Sequence, residues 1–147
     1  MSDIGTWPAL LEVESLNVWF DLSGGRTLHA VRGVSFSVAA GTRLGMVGES
    51  GCGKTTTILA LMGLLPATAS VSGRIMLDGV DVLEHGEQTV SPHRWKDIAM
   101  VFQGAMNAFD PVRRIGGQIA EPLDLHGLAT GKDASDRVRE LLATVGI

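Results

Sequence analysis

One glycine-rich segment, flanked by residues typical of a strand and of a helix, constrains the fold of this chain more than any other feature. Residues 48–55 read Gly-Glu-Ser-Gly-Cys-Gly-Lys-Thr and fit the pattern G-x-x-x-x-G-K-S/T at every fixed position. Residues 43–47 before the segment are predicted to form a short buried strand, and residues 55–64 after it an apolar helix. A strand, a glycine turn and a helix in this order predict an α/β fold with a phosphate-binding loop.

The residue types within this loop suit the binding of a polyphosphate. The start of the following helix offers unpaired N–H donors and a partial positive charge, and glycines let the backbone approach phosphate oxygens without an intervening Cβ atom. Lys54 would place a cation on the β- and γ-phosphates, and the Thr55 hydroxyl would ligate Mg²⁺. The alternative is a glycine-rich turn before a core helix. The candidate phosphate-binding residues are Gly48, Glu49, Ser50, Gly51, Cys52, Gly53, Lys54 and Thr55.

Length and composition exclude several classes of protein. The chain has 147 residues, about the length of one domain, and its 45% of hydrophobic residues suffices for a packed core. A net charge of −4 argues against a basic nucleic-acid-binding face. The sequence has no apolar run of the roughly 18 residues that a membrane span needs, no secretory signal, and a single cysteine that excludes an internal disulfide. We therefore expect a cytosolic protein.

The remaining pattern predicts strands in the first part of the chain and helices in the last part. A turn is expected at residues 23–25 and another at Asp78-Gly79, and residues 81–92 are expected to form a loop. From residue 115 onward the pattern is helical, with Pro122 limiting one helix and residues 133–145 forming the cleanest amphipathic one. A helical subdomain is therefore expected to begin near residues 103–110. The further predicted strands are residues 11–20, 27–31, 34–38, 71–77 and 98–102.

Two further segments carry a resemblance to a known family. Residues 30–36 read Ala-Val-Arg-Gly-Val-Ser-Phe, and residues 101–123 begin Val-Phe-Gln and continue through Asp-Pro-Val-Arg-Arg-Ile-Gly-Gly-Gln-Ile-Ala-Glu-Pro-Leu. With the glycine loop, they resemble the ATP-binding subunits of ABC transporters. Within that family the chain is similar to the peptide and nickel importers, whose pattern is FQ followed by NPVxxIGxQIxEPL. Asp110 stands where that pattern usually has Asn, and either residue can start a turn.

The resemblance, which covers residues 11–147, implies a fold, a function and partners. The expected fold is an incomplete P-loop NTPase core of the ABC type, in which an antiparallel β subdomain and part of a parallel sheet precede the start of a helical subdomain. The expected domains are residues 1–103 and 104–147. The implied ligands are ATP and Mg²⁺. The implied partners are transmembrane permease subunits, a second ATPase subunit bound head to tail and, indirectly, an extracytoplasmic solute-binding protein, but no nucleic acid. The implied location is the cytoplasmic face of the cell membrane.

The resemblance also assigns roles to individual residues. Gln103 matches the glutamine that contacts Mg²⁺ and the attacking water and faces the membrane subunit, so Lys54 and Gln103 are the catalytic candidates, and Thr55 and Gln103 the metal ligands. Phe20 matches the aromatic residue that stacks on adenine, and Thr56 is a further phosphate contact. The alternatives are a solvent-facing side chain for Gln103 and a plain core residue for Phe20. Strand alternation places Trp19, the competing aromatic residue, on the opposite face.

Two segments imitate family motifs but are better explained as turns. Residues 22–26 read Leu-Ser-Gly-Gly-Arg, like the LSGGQ signature, but they precede the glycine loop and join two predicted strands. A hairpin turn is the better explanation. Residues 75–78 resemble a Walker B strand ending in Asp, but the next residue is Gly79 where the family has its catalytic Glu. The pair Asp78-Gly79 is therefore predicted to be a turn.

No signature, Walker B carboxylate with its Glu, or switch His occurs up to Ile147, and in the family these follow the helix that residues 133–145 resemble. The chain is therefore expected to be the N-terminal portion of an ATPase, inactive in hydrolysis alone, with apolar surface uncovered on the helix at residues 57–65. The alternatives are a non-catalytic nucleotide-binding fragment and another P-loop NTPase. A GTPase would show N-K-x-D, and none of Lys54, Lys96 and Lys132 lies in that setting.

Overall fold

The computed structural model describes residues 9–102, 104 and 108–147. The chain divides into two compact units, Met1–His93 and Arg94–Ile147. The predicted domain boundary between residues 103 and 104 stays a prediction, because residues 103 and 105–107 lie outside the described part.

The first unit is built on a four-stranded antiparallel sheet with the order β2-β1-β3-β4. The predicted strands at residues 11–20 and 71–77 are confirmed, but residues 27–31 and 34–38 belong to one strand rather than two. A bulge at Gly33, whose φ is 61°, interrupts the alternation and makes the sequence look like two short strands. The strands are β1 (Ala9–Leu22), β2 (Arg26–Ala39), β3 (Ala69–Leu77) and β4 (Val80–Asp81).

The two segments that resemble family motifs form turns in the structure. Residues 23–25 close the β1–β2 hairpin, in which Leu22 faces Arg26. Asp78 and Gly79 have φ values of 47° and 83° and connect β3 to β4 as a two-residue turn. The rejection of residues 22–26 as a signature and of residues 75–78 as Walker B is therefore confirmed.

Helix α1 (Lys54–Leu61) packs on the sheet and ends three residues before the predicted end at residue 64. Gly63, with a φ of 62°, terminates it, because Gly63 N–H donates to the Ala60 carbonyl and Leu64 N–H to the Leu59 carbonyl. The expectation of uncovered apolar surface on this helix stays a prediction, because Ala60, Leu61 and Met62 are buried whereas Leu64 is 41% exposed. The buried hydrophobic residues described in this unit are Val13, Leu16, Val18, Val31, Ile75 and Leu77 from the sheet, Ala60, Leu61 and Met62 from the helix segment, and Val82 and Val90 from the residues after β4.

Two predicted strands, residues 43–47 and 98–102, are not formed. In the part of the chain that the structure describes, these segments have no strand ladder, and Ile98 makes only an isolated bridge with Arg94. Val47 and Val101 are 96% and 92% exposed. Apolar residues favour a buried parallel strand only where neighbouring strands pair with it, and no described strand does so. The antiparallel part of the predicted fold is therefore formed, whereas its parallel part is not formed by the described residues.

The loop predicted at residues 81–92 contains β4, the one-turn helix α2 (Glu87–Val90) and a 3₁₀ turn at Ser91–His93. In the second unit, helices α3 (Ile115–Leu125) and α4 (Gly131–Thr144) confirm the helical prediction, and α3 ends within one turn of Pro122. Ala134 and Val138 of α4 are buried. Among the described residues, no helix combines the length and the apolar character that crossing a membrane requires.

Candidate functional site

The glycine loop leads directly into the N-terminus of α1. Gly51 and Gly53 have φ values of 79° and 93°, which a residue with a side chain adopts only with strain. At Gly53 a Cβ atom would also lie 2.7 Å from the Ala30 carbonyl oxygen, so the loop touches β2 at a point where only glycine fits. No side chain caps α1 and no acidic residue lies in its first turn, so its N–H donors and partial positive charge are not neutralised locally.

The Lys54 ammonium group is held by the loop itself. Its Nζ donates hydrogen bonds to the carbonyl oxygens of Gly48, at 2.7 Å, and Glu49, at 2.6 Å, and to the Sγ of Cys52, at 3.3 Å. A Cβ atom on Gly48 would lie 2.6 Å from the same Sγ, so the first glycine leaves space for the cysteine side chain. The loop thus fixes a cation beside the backbone N–H groups at the start of α1.

Thr57 is a structural residue of the site that the sequence reasoning missed. It is buried, and its Oγ1 donates a 3.0 Å hydrogen bond to the Gly53 carbonyl oxygen, which reinforces the first turn of α1. The neighbouring Thr55, the candidate Mg²⁺ ligand, is exposed. Within the described residues there is no group of three or more His, Cys, Asp or Glu side chains that could hold a metal ion. Of the two predicted metal ligands, Thr55 lies in the first turn of α1, and Gln103 lies outside the described residues.

A cavity of about 580 Å³ lies between the glycine loop and β2. Lys54 and Thr57 line it on the loop and helix side, and residues 28–32 and 34 of β2 form much of the other wall. None of its lining residues is an aspartate or glutamate, although the chain as a whole carries a net charge of −4. The lining therefore favours an anionic ligand.

The two aromatic candidates lie on opposite faces of β1, as strand alternation predicts. Phe20 is partly buried and faces Leu28 of β2. Trp19 faces His29, and the rings of Trp19 and His29 stack with their centroids 4.6 Å apart. Phe20 does not line the cavity beside the loop, but Leu28, which is 49% exposed, does. The sequence could have indicated Leu28 only through its register opposite Phe20, which a single strand does not reveal.

Gln103 and Asp110 are the two other residues that the resemblance to the importer pattern singles out. Gln103 lies outside the described residues. Asp110 does start a turn, since its Oδ1 accepts a 3.0 Å hydrogen bond from Val112 N–H. Three residues after Asp110, the exposed Arg113 forms an ion pair with Glu121 of α3, at 3.4 Å.

Comparison with known proteins gives consistent matches. The sequence model of the ABC transporter family matches residues 31–147. The oligopeptide transport ATP-binding protein OppD of Mycobacterium tuberculosis is 44% identical over 94% of this chain and 22% of its own length. The dipeptide transport ATP-binding protein DppD of Bacillus subtilis is 39% identical over 94% of this chain and 42% of its own length. OppD of Escherichia coli is 38% identical over 93% of this chain and 40% of its own length. The chain therefore spans less than half the length of each of these relatives.

Proposed function

Because the chain belongs to the ABC transporter family, we propose that it is the ATP-binding portion of a subunit that energises the import of peptides. The observation that supports ATP binding most directly is the glycine loop itself. It holds the Lys54 ammonium group at the uncapped N-terminus of α1, beside a cavity whose lining contains no carboxylate. A polyanion gains hydrogen bonds and a favourable field at such a place.

In this proposal the loop binds the phosphates and the sheet binds the rest of the nucleotide. The backbone N–H groups of residues 51–55 surround the β-phosphate, and Lys54 neutralises the β- and γ-phosphate oxygens. The Thr55 hydroxyl ligates Mg²⁺, which when bound offsets the charge of the phosphates, and Thr56 adds a phosphate contact. The base is proposed to extend beyond the cavity lining onto Phe20, which faces the cavity residue Leu28, and such stacking contributes about 1–3 kcal/mol.

Hydrolysis requires residues beyond the phosphate loop. We propose that Gln103 orients the attacking water and that the signature of a second subunit, bound head to tail, completes the site. The prediction that this chain alone does not hydrolyse ATP stays a prediction. The second candidate function, a non-catalytic nucleotide-binding fragment, shares the binding step and differs only in turnover.

The proposed solute and partners rest on the relatives. OppD and DppD are named for oligopeptide and dipeptide transport, so peptides are the proposed solute class, and nickel is the alternative within the same subfamily. Transmembrane permease subunits are the proposed direct partners at the cytoplasmic face of the membrane, and an extracytoplasmic solute-binding protein is the indirect one. The proposal assigns solute choice to those partners, and it assigns the cavity of about 580 Å³ beside the loop to the nucleotide.

Equilibrium binding of a fluorescent ATP analogue with Mg²⁺ tests the proposal. Lys54→Ala is expected to weaken binding by about tenfold or more, because hydrogen bonds to charged groups contribute about 1.5–3 kcal/mol. Lys132→Ala in α4 removes the same charge from an exposed position outside the cavity and is expected to bind like the unchanged chain. Equal affinity for all three proteins would contradict the proposed function.

A further inference from the structure

We propose that Arg32 is a second cation for the nucleotide, binding the phosphate chain from the β2 wall of the cavity opposite Lys54. This inference rests on the proposed function, since it takes the ligand of the cavity to be a nucleotide. It adds a residue that lies outside the glycine loop and that the sequence pattern did not single out.

The position of Arg32 follows from the contact between the loop and β2. Gly53 packs so closely on the Ala30 carbonyl that a Cβ atom would lie 2.7 Å from its oxygen. Arg32 is two residues farther along the same strand and lines the cavity together with Lys54. The cavity is therefore lined by two cationic groups, the guanidinium of Arg32 on β2 and the ammonium of Lys54 at the end of the glycine loop.

The hydrogen bonding of Arg32 leaves most of its guanidinium available. Its Nε donates a 3.2 Å hydrogen bond to the His29 carbonyl oxygen, which holds the side chain along its own strand. Among the residues that the structure describes, no carboxylate forms an ion pair with Arg32. Arginine has five N–H donors, and its two terminal nitrogens match the spacing of phosphate oxygens.

The charge of the surroundings favours the same conclusion. Arg32 and Lys54 both line a cavity without an aspartate or glutamate, in a chain whose net charge is −4. Two cations facing one cavity repel each other, and a bound polyanion removes that repulsion. The competing explanation is an ordinary solvated arginine, which would contribute only a general positive field that salt screens.

Arg26 provides a matched control, because it is an exposed arginine of the same strand and does not line the cavity. We expect Arg32→Gln to weaken ATP and ADP binding by about five- to tenfold, as for loss of a charge-assisted hydrogen bond. Arg26→Gln makes the same change in net charge and is expected to change affinity less than twofold. Binding of adenosine, which has no phosphates, is expected to be equal in both variants. Arg32→Lys should restore part of the lost affinity, because it keeps the charge without the paired donors.

Thermal unfolding of each variant controls for misfolding. Equal ATP affinity of Arg32→Gln and Arg26→Gln would overturn the inference, as would an equal loss of adenosine and ATP binding by Arg32→Gln. If Lys54→Ala weakens ATP binding while Arg32→Gln does not, the proposed function stands and only the role of Arg32 fails. If the unchanged chain binds no ATP, both fail together.

Discussion

The strands of the antiparallel sheet and residues 43–47 and 98–102 all contain the apolar residues typical of strands, yet only the sheet segments pair as strands in the described part of the chain. β1 pairs with β2 and β3 along most of its length, and Leu16 at its centre has no exposed surface. Residues 43–47 and 98–102 form no ladder with any described strand, and Val47 is almost fully exposed. The comparison shows that strand formation depends on available pairing partners more than on local hydrophobicity.

The largest expected loss of stability follows from a substitution in the core of the sheet. Leu16→Ala should lower the free energy of unfolding by about 2–5 kcal/mol, because it leaves a cavity in the core. Val47→Ala removes a side chain that is 96% exposed and should change stability by less than about 0.5 kcal/mol. Urea unfolding monitored by circular dichroism measures both values. A loss for Val47→Ala comparable to that for Leu16→Ala would show that residues 43–47 are packed in solution, which would break the comparison.

A smaller loss of stability is expected from a substitution of Asn17, which lies beside the bulges of β1 and β2. The Asn17 Oδ1 accepts hydrogen bonds from Gly33 N–H, at 2.9 Å, and from the His29 ring, at 3.0 Å, while its Nδ2 donates to the Ser15 carbonyl at 2.8 Å. Because these bonds are largely exposed, Asn17→Ala should cost about 1–2 kcal/mol in the same unfolding assay. Ser72→Ala is the control, since Ser72 faces Asn17 on β3 and makes no side-chain hydrogen bond to the described residues. Equal stability of the two variants would contradict this role for Asn17.

The sequence predicted those parts of the fold that depend on local chemistry. Alternation predicted β1 and β3, the pair Asp78-Gly79 predicted its turn, and helical periodicity predicted α4. The single strand β2 was not predicted, because the bulge at Gly33 breaks the alternation on which the prediction depends.

The sequence predicted the glycine loop of the candidate site but not the residues of β2 that line the cavity beside it. The spacing of glycines and Lys54 is a local pattern, and the structure places these residues together at the start of α1. Leu28 and Arg32 line the cavity only because β2 lies beside that loop. Such a contact joins residues far apart in sequence, and no pattern along a single strand reveals it.

Hydrogen exchange with and without Mg²⁺-ATP tests the central claim, that the glycine loop and the adjacent β2 wall bind a nucleotide. At saturating ATP we expect backbone amides of residues 49–55 to exchange about tenfold or more slowly, and those of residues 28–32 also to be protected, because the ligand stabilises the state that it binds. Residues 136–140 of α4 should be unchanged. Unaltered exchange at residues 49–55, or protection confined to the second unit, would contradict the account.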